Sequence, residues 1–332
     1  MIVNKTEMET KGFIDIYVDP KTDFVLEINK LKKEKNAIIL AHYYQTGDIQ
    51  DIADFIGDSL KLSQEAASTQ ADIILFAGVH FMAETAKILS PTKKVIVPDL
   101  LAGCSLADSC PAVDFAAFKA QYPDHIVVSY VNTTAEVKAL SDIICTSSNA
   151  VEIIKSIPKD QPIIFGPDKN LGNYVSAQAG REMVIWNGAC HVHRQFSLDR
   201  ILALKKSNPT AKIIAHPECE KPILLISDYI GSTSALLSFA KKDSAQSFIV
   251  ATESGILHQM RKACPDKLFI AAPPDDATCA CSDCEYMKLN TLKKLYIALK
   301  YEQPEVDVPE ELRVKAYKSI KRMLEISEKL GL

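Results

Sequence analysis

Residues 38–60 read IILAHYYQTGDIQDIADFIGDSL, and the same pattern returns twice further along the chain. Residues 126–148 read IVVSYVNTTAEVKALSDIICTSS, residues 212–234 read KIIAHPECEKPILLISDYIGSTS, and the three stretches align without a gap. Each begins with an apolar, β-branched run, continues through a helical segment and reaches Asp-x-Ile before a small polar triplet. The aligned aspartates lie 88 and 86 residues apart, and they are Asp54, Asp142 and Asp228. This periodicity indicates a repeated supersecondary unit.

Two further apolar runs follow each repeat at matching offsets. The first set is DIILFAG (72–78), PIIFGP (162–167) and SFIVAT (247–252), and the second is KVIVPD (94–99), MVIWNG (183–188) and KLFIAA (267–272). Short β-branched runs between helical segments are typical of buried parallel strands in βαβ units. The sequence therefore predicts an α/β fold of three homologous three-layer α/β/α domains, each with a small parallel sheet, around a pseudo-threefold axis. One large doubly wound sheet with similar βα units is the alternative.

The domain boundaries follow from the repeat. We expect a first α/β domain over residues 1–110, a second over 111–193 and a third over 194–287. Residues 309–330 have a proline at the start of an amphipathic helical pattern. We expect the C-terminal helices, within residues 288–332, to pack on the first domain.

The composition narrows the class of protein. The chain has 332 residues, 47% apolar and 24% charged, with a formal net charge of −4, so no nucleic-acid or membrane partner is indicated. No apolar run approaches the roughly 20 residues of a membrane span, and the first residues carry no apolar signal core. We therefore expect a cytoplasmic protein. Its nine cysteines then favour metal binding or catalysis for some thiols over disulfides.

Polar side chains follow the first strand of every repeat and recur at the polar triplets. In parallel α/β sheets, ligands bind at the carboxyl ends of the strands. A Ser or Thr at each triplet is also expected to cap the next helix, whose N-terminus attracts anions. Helix capping alone is the simpler interpretation of any one of them, whereas three in register predict a pocket for a small polycarboxylate or phosphate. The strand-end residues are His42, Tyr44, Tyr130, Asn132, His216 and Glu218, and the triplet residues are Asp58, Ser59, Thr146, Ser147, Ser232 and Thr233.

Cysteines follow the last strand of each repeat. Cys104 ends PDLLAGC, Cys190 ends IWNGAC, and the third repeat reaches ATCACSDCEYM (277–287) with Cys279, Cys281 and Cys284. Three thiolates from three loops suit a [4Fe–4S] cluster with one iron left open as a Lewis acid. A zinc site within residues 279–284 is the alternative, although it lacks paired C-x₂-C spacing. The remaining four cysteines are expected to be buried packing residues.

Several longer motifs resemble the quinolinate synthase family. They are AHYYQ (41–45), GDSL (57–60), GVHFMAE (78–84), PDLLAGCSLAD (98–108), SYVNTTAEVKA (129–139), TSSNA (146–150), GPDKNLG (166–172), WNGACHVH (186–193), AHPEC (215–219), GSTS (231–234) and C-x-Y-M-K-x-N (284–290). The resemblance implies three α/β domains around a pseudo-threefold axis, with a [4Fe–4S] cluster held by one cysteine from each. It also implies a transferase that condenses iminoaspartate with dihydroxyacetone phosphate to quinolinate, phosphate and water, for NAD biosynthesis.

The resemblance implies roles for individual residues as well. Cys104, Cys190 and Cys284 would hold the cluster, and Tyr44 and Glu218 would be the acid/base pair. The remaining expected catalytic or substrate-binding residues are His42, Ser59, Tyr130, Asn132, Ser147, His191, His216, Ser232 and Thr233; His193 is expected to face solvent. Glu285 stands where the family commonly has proline, and C-x-C-x₂-C replaces C-x₂-C-x₂-C, so a redox role for Cys279 and Cys281 stays open.

The resemblance also suggests partners. L-aspartate oxidase or aspartate dehydrogenase would supply the iminoaspartate, and the assembly state is left open, with a homodimer as one option. Two other functions use the same thiol arrangement: an iron–sulfur sensor and a dehydratase of another acid. A sensor usually carries a DNA-binding or partner module, and the sequence has no basic helix-turn-helix pattern.

Overall fold

The structure, a computed structural model, describes residue 8, residues 10–275 and residues 282–332. Cys279 and Cys281 lie outside the described residues, and so do the zinc and redox hypotheses that depend on them. In the described part of the chain, twelve strands form three four-stranded sheets, and all strand pairs within them are parallel.

The three sheets have the same strand order. The first is β2-β1-β3-β4, the second β6-β5-β7-β8 and the third β10-β9-β11-β12. This confirms the predicted fold class and excludes a single large sheet for the described residues. The strands are β1 (Ala37–His42), β2 (Phe55–Gly57), β3 (Ile73–Ala77), β4 (Lys94–Ile96), β5 (Ile126–Tyr130), β6 (Ile143–Cys145), β7 (Ile163–Gly166), β8 (Val184–Ile185), β9 (Lys212–Ala215), β10 (Tyr229–Ile230), β11 (Ser247–Ala251) and β12 (Leu268–Ala271).

The repeated aspartates explain why the three sheets begin alike. The Asp54 carboxylate accepts a 2.8 Å hydrogen bond from the Ile39 backbone N–H, and the Asp54 N–H donates at 3.0 Å to the Ile39 carbonyl. Asp142 and Asp228 make the same two bonds with the residue 15 positions earlier, Val127 and Ile213 respectively. Each aspartate therefore ties the second strand of its unit to the first.

Helices connect the strands and cover the sheets. The helices are α1 (Phe24–Glu34), α2 (Gly47–Ile52), α3 (Ser59–Ser68), α4 (His80–Leu89), α5 (Ser105–Asp108), α6 (Ala112–Ala120), α7 (Ala135–Leu140), α8 (Ala150–Ser156), α9 (Lys169–Ala179), α10 (His191–Arg194), α11 (Leu198–Ser207), α12 (Lys221–Leu225), α13 (Thr233–Lys242), α14 (Ile256–Ala263), α15 (Glu285–Lys288), α16 (Leu292–Tyr301) and α17 (Glu310–Leu330). Of the helices described, none combines the length and apolar character that crossing a bilayer would require.

The helix caps at the polar triplets differ from the expectation of a Ser or Thr at each. Ser232 does cap α13, accepting at 3.3 Å from the Ala235 N–H. The cap of α3 is Asp58, so Ser59 is the first helical residue there. The α8 cap is Asn149, whose side-chain oxygen accepts from the Thr146 N–H at 2.7 Å instead of from the helix.

The C-terminal helices join the first two sheets. α16 packs on α1 and β3, whereas α17 packs mainly on α7 and β6, and also on α4. The largest apolar cluster is correspondingly shared, and includes Leu40 of β1, Val128 of β5 and Ile320 of α17. The predicted domain boundaries themselves stay a prediction, but the packing of residues 288–332 is divided between the first and second units.

Candidate active site

A cavity opens at the carboxyl ends of the strands, where residues of all three units meet. Its volume is about 690 Å³ when the solvent at its mouth is included. Of the predicted site residues, only Ser232 is absent from its lining, and the Ser232 hydroxyl is engaged as a helix cap. The lining includes His42, Tyr44, Ser59, Cys104, Tyr130, Asn132, Ser147, Cys190, His191, His216, Glu218, Thr233 and Cys284.

The three predicted ligand cysteines occupy equivalent places. Cys104, Cys190 and Cys284 each immediately precede a helix of four residues, α5, α10 and α15, and each has extended backbone angles. Chain segments separated by more than 80 residues therefore present a thiol in the same local geometry, which the repeat alignment predicts.

The loops before the first two cysteines are also held alike. The His80 N–H donates at 2.7 Å to the Ala102 carbonyl, two residues before Cys104. The Lys169 N–H donates at 2.9 Å to the Gly188 carbonyl, two residues before Cys190. Each bond joins the cysteine loop to the segment that follows the third strand of its unit. The sheet therefore sets the position of the cysteine.

Burial keeps the thiols protonated in the metal-free chain. It raises the pKa of Cys104 to about 12 and that of Cys284 to about 11, and it raises the pKa of Cys190 well above the usual range. Backbone N–H groups at the start of the short helices oppose this effect. Charge repulsion from Cys284 also raises the pKa of Cys104, and charge repulsion from Cys104 and Cys284 raises that of Cys190.

The chemistry of the three cysteines fits a metal group that is bound by thiolates. In the described part of the chain, the one group of three candidate donor atoms within 4.8 Å of one another is Cys190, His193 and Glu218. At least one pair among the sulfurs of Cys104, Cys190 and Cys284 is therefore more than 4.8 Å apart. Thiolate is the usual protein ligand of iron–sulfur clusters, in which the thiolates bind different irons.

Two histidines present equivalent ring nitrogens to the cavity. The Tyr44 N–H donates to His42 Nδ1 at 3.2 Å, and the Glu218 N–H donates to His216 Nδ1 at 3.4 Å. Burial lowers the pKa of His42 to about 4 and that of His216 to about 3, so both rings are neutral at pH 7. With Nδ1 accepting, the proton lies on Nε2, and each ring offers a hydrogen-bond donor. His216 Nε2 lies 3.1 Å from the Ser147 hydroxyl.

Glu218 is a buried carboxylate surrounded by donors. Its Oε1 accepts a 2.6 Å hydrogen bond from the Tyr130 hydroxyl, and its Oε2 lies 3.2 Å from His193 Nδ1. Burial favours the protonated form, but His193, His216 and the Tyr130 hydrogen bond outweigh it and lower the pKa of Glu218 below its usual range. The site therefore contains an ionised carboxylate at neutral pH.

The Tyr44 hydroxyl begins a series of polar contacts that reaches Glu218. It lies 2.9 Å from the Thr233 hydroxyl and 2.7 Å from the Thr252 hydroxyl. Thr252 is in turn 3.1 Å from His193 Nε2, and the other nitrogen of that ring faces Glu218. Burial raises the pKa of Tyr44 well above its usual range, so the phenol keeps its proton.

The second unit supplies different groups at the same positions. Tyr130 corresponds to His42 and His216, and Asn132 corresponds to Tyr44 and Glu218. The Asn132 side-chain oxygen is buried without a hydrogen-bond partner among the described residues, and Asn132 lines the cavity. Since a buried unpaired acceptor is costly, this atom marks a place where a bound molecule would donate a hydrogen bond.

The expectation that His193 faces solvent is wrong. Its side chain is 3% exposed and lies against Glu218. α10 begins directly after Cys190, so a residue three positions later points back to the same side of the helix. His191, which we expected to line the site, lies nearer its edge: its Nδ1 is 2.7 Å from the Ser105 hydroxyl and its ring is 6.1 Å from that of Tyr286.

Sequence reasoning also missed polar residues that follow the third strand of the second and third units. Thr252 and Glu253 come directly after β11, and Asp168 comes two residues after β7. The Glu253 carboxylate accepts from the Cys284 N–H at 3.2 Å and pairs with Lys288 at 2.8 Å; burial raises the pKa of Glu253 to about 7. The rule that ligand-binding groups lie at strand ends would have found them if applied to these strands.

The fold and the cavity define a class: an α/β protein of three like units whose central site combines cysteines, histidines and a carboxylate. Comparison with known proteins narrows this class to one family. The chain matches the family described as Quinolinate synthetase A protein over residues 26–325, and it belongs to that family.

Three similar curated proteins are each called quinolinate synthase. The protein of Thermosynechococcus vestitus is 62% identical over 305 residues, which is 92% of this chain and 96% of the relative. That of Microcystis aeruginosa is 64% identical over 92% of this chain and 95% of the relative. That of a Synechococcus strain is 60% identical over 309 residues, 93% of this chain and 97% of the relative.

Proposed function

We propose that this chain is a quinolinate synthase of NAD biosynthesis. It would condense iminoaspartate with dihydroxyacetone phosphate to quinolinate, phosphate and water, with the aid of a [4Fe–4S] cluster. The observation that carries the proposal is the meeting of Cys104, Cys190 and Cys284, one from each unit, on a cavity that also holds Glu218 and Tyr44. The names of the similar proteins agree with this assignment.

The three cysteines would hold the cluster, which leaves one iron without a protein thiolate. When bound, the cluster supplies a Lewis acid that polarises a substrate oxygen and eases its loss as water. Loading requires loss of the thiol protons, because iron is bound by thiolates. The backbone N–H groups that face each sulfur at the start of its helix favour the anionic form and support this step.

Glu218 and Tyr44 divide the proton transfers between them. Glu218 is ionised and is suited to accept a proton from a substrate carbon or nitrogen, whereas the Tyr44 phenol is suited to donate one. His193 and Thr252 lie between the two groups, so a proton taken by Glu218 can return through them toward Tyr44.

The substrates would be bound by neutral donors. No arginine or lysine is among the described residues that line the cavity, although both substrates are anionic. His42 and His216 each offer an Nε2–H group, and Ser59, Ser147 and Asn132 add hydroxyl and amide groups. Neutral donors hold carboxylate and phosphate oxygens without adding a charged side chain beside the cluster. His42 is also placed to assist catalysis as a hydrogen-bond donor to a developing oxyanion.

The proposal extends to the protein's surroundings. Iminoaspartate is an imine of a dicarboxylic acid and hydrolyses in water, so an aspartate-oxidising enzyme must supply it nearby. L-aspartate oxidase or aspartate dehydrogenase fits that role. We propose a cytoplasmic location, and a homodimer is one assembly to test by light scattering.

Anaerobic purification tests the function. We expect a brown protein that binds iron and sulfide in equal amounts and forms a pyridine dicarboxylate from iminoaspartate and dihydroxyacetone phosphate. A Cys284→Ala variant should lose the cluster and the activity, whereas Cys264→Ala, at a partly buried thiol outside the cavity, should keep both. A brown protein that makes no pyridine product would favour a sensor or a dehydratase of another acid.

A further inference from the structure

Two buried carboxylates contact the backbone of the predicted ligand cysteines. Asp168 Oδ2 accepts a 3.3 Å hydrogen bond from the Cys190 N–H, and Glu253 Oε1 accepts a 3.2 Å bond from the Cys284 N–H. Both side chains are buried, with Asp168 at 0% and Glu253 at 1% exposure. Burying a carboxylate costs free energy unless its hydrogen bonds are satisfied, so these contacts are part of what keeps both groups in place.

Asp168 and Glu253 are equivalent by the register of the sheets. Ile164 of β7 pairs with Val127, and Ile249 of β11 pairs with Ile213, at matching positions of the two repeats. Four residues after those isoleucines come Asp168 and Glu253. The carboxylates therefore occupy the same position in the second and third units.

Each carboxylate also uses its second oxygen to hold the chain that follows the third strand. Asp168 Oδ1 accepts from the Leu171 N–H at 2.7 Å, at the start of α9. Glu253 Oε2 accepts from the Gly255 N–H at 2.7 Å. Each side chain thus bridges two segments: the end of a strand, which the sheet fixes, and the loop that carries a cysteine.

The first unit lacks this bridge. Leu75 of β3 pairs with Ile39, and the residue four positions later is Val79, which cannot accept a hydrogen bond. The loop before Cys104 is held instead by the bond from the His80 N–H to the Ala102 carbonyl. The second unit has the same backbone bond and the carboxylate as well.

We propose that Asp168 and Glu253 are positioning residues that set the orientation of Cys190 and Cys284 for metal binding, whereas Val79, at the equivalent position of the first unit, gives Cys104 no such contact. The proposal rests on the proposed function in taking these cysteines as the ligands. It predicts that removing each carboxylate affects the cysteine of its own unit and leaves the other two unchanged.

The first measurement uses the metal-free chain. Asp168→Asn and Glu253→Gln keep the shape of the side chain but leave one accepting oxygen for two backbone N–H groups, so the side chain can no longer bridge both segments. With iodoacetamide and peptide mass spectrometry, we expect alkylation of Cys190 to be roughly tenfold faster in D168N, and that of Cys284 in E253Q, as for the loss of one hydrogen bond to a buried acceptor. Cys104 should react at the wild-type rate in both.

Matched controls come from the repeated aspartates. Asp142→Asn and Asp228→Asn also weaken a carboxylate bond to a backbone N–H, in the second and third units respectively, but at the first strand instead of the cysteine loop. They separate a general loss of stability from the local effect. If D168N does not fold, E253Q and D228N test the proposal by themselves.

The second measurement uses the loaded protein. After anaerobic reconstitution, we expect an iron chelator to bleach the cluster absorbance of D168N and E253Q several times faster than that of the wild type and the controls, with altered electron paramagnetic resonance of the reduced cluster. Unchanged alkylation rates at Cys190 and Cys284 in the variants would overturn the positioning role. A wild-type chain that binds no iron would instead overturn the proposed function, while the alkylation pattern would still decide the positioning role.

Discussion

The first and third units present the same strand end with different chemistry. In both, a histidine accepts a hydrogen bond from the backbone two residues later, at 3.2 Å for His42 and Tyr44 and at 3.4 Å for His216 and Glu218. The second residue of each pair points into the same cavity. In the first unit it is a phenol whose pKa is raised, and in the third a carboxylate whose pKa is lowered. The same backbone geometry thus places a protonated phenol and an ionised carboxylate in one cavity.

The largest expected effect is at the acceptor. Glu218→Gln keeps the size of the side chain but removes the negative charge that faces His193. We expect kcat to fall on the order of a thousandfold, within the range for loss of a general base. Steady-state assays measure this, with Glu220→Gln, at an exposed neighbour, as the control. Turnover at the wild-type level would end the acid/base assignment.

The donor comes next. Tyr44→Phe removes the hydroxyl that bonds Thr233 and Thr252, and we expect kcat to fall roughly a hundredfold with little change in KM. Tyr43→Phe is the matched control because Tyr43 is buried but does not line the cavity. If both variants lose activity equally, the loss comes from altered packing. The result would then contradict the role of Tyr44 as the proton donor.

Loss of Thr252, which lies between Tyr44 and His193, should lower kcat less than loss of the Tyr44 hydroxyl or of the Glu218 charge. Thr252→Val removes the hydroxyl that lies between Tyr44 and His193, and we expect roughly a tenfold loss of kcat. Thr85→Val is the control, because the buried Thr85 hydroxyl bonds the Phe81 carbonyl of its own helix. Its kcat should stay near that of the wild type. A Thr252 variant with normal kcat would mean that protons reach Tyr44 by another route.

The neutral histidines predict a pH dependence of stability. His42 has a pKa near 6.5 when unfolded and about 4 in the folded chain, so the unfolded state binds its proton first as the pH falls. Stability is therefore complete above pH 6.5 and declines through pH 4, by up to about 3 kcal/mol from this group. Urea titrations of wild type and His42→Asn should show a shallower decline for the variant. An identical slope would contradict burial of a neutral ring.

The smallest expected effect is on stability, at the repeated aspartate contact between the first two strands of each unit. Asp54→Asn should lower the free energy of unfolding by about 1 kcal/mol, because it weakens one hydrogen bond to the backbone of the first strand. Asp72→Asn, at a carboxylate that bonds an exposed asparagine side chain, should change stability by less. Denaturant melts compare the two variants, and equal losses would show that the strand contact adds nothing.

The fold was predictable because the residues that recur in the repeat have a structural role. The same contact between the first two strands recurs in each unit, made by Asp54, Asp142 and Asp228. An alignment of these aspartates therefore also aligns the strands of the three sheets. The cysteines were predictable for the same reason, because each follows the fourth strand of its unit at the start of a short helix.

The rest of the site depended on contacts between units, which no local pattern encodes. His193 was misjudged because its burial comes from Glu218 and Thr252 of the third unit. The packing of α17 on α7 was missed because an apolar stripe shows that a helix is covered but not by what. Ser232 lines no part of the cavity, although its register suggested it, because its hydroxyl caps α13.

The aspartate contacts also affect how the chain folds while it is being translated. Each joins residues only 15 positions apart, so every sheet can begin to form soon after its own first two strands leave the exit tunnel. Cys284, in contrast, is among the last fifth of the chain to be translated. We therefore expect the cavity, which all three units line, to be completed only after most of the chain has been translated.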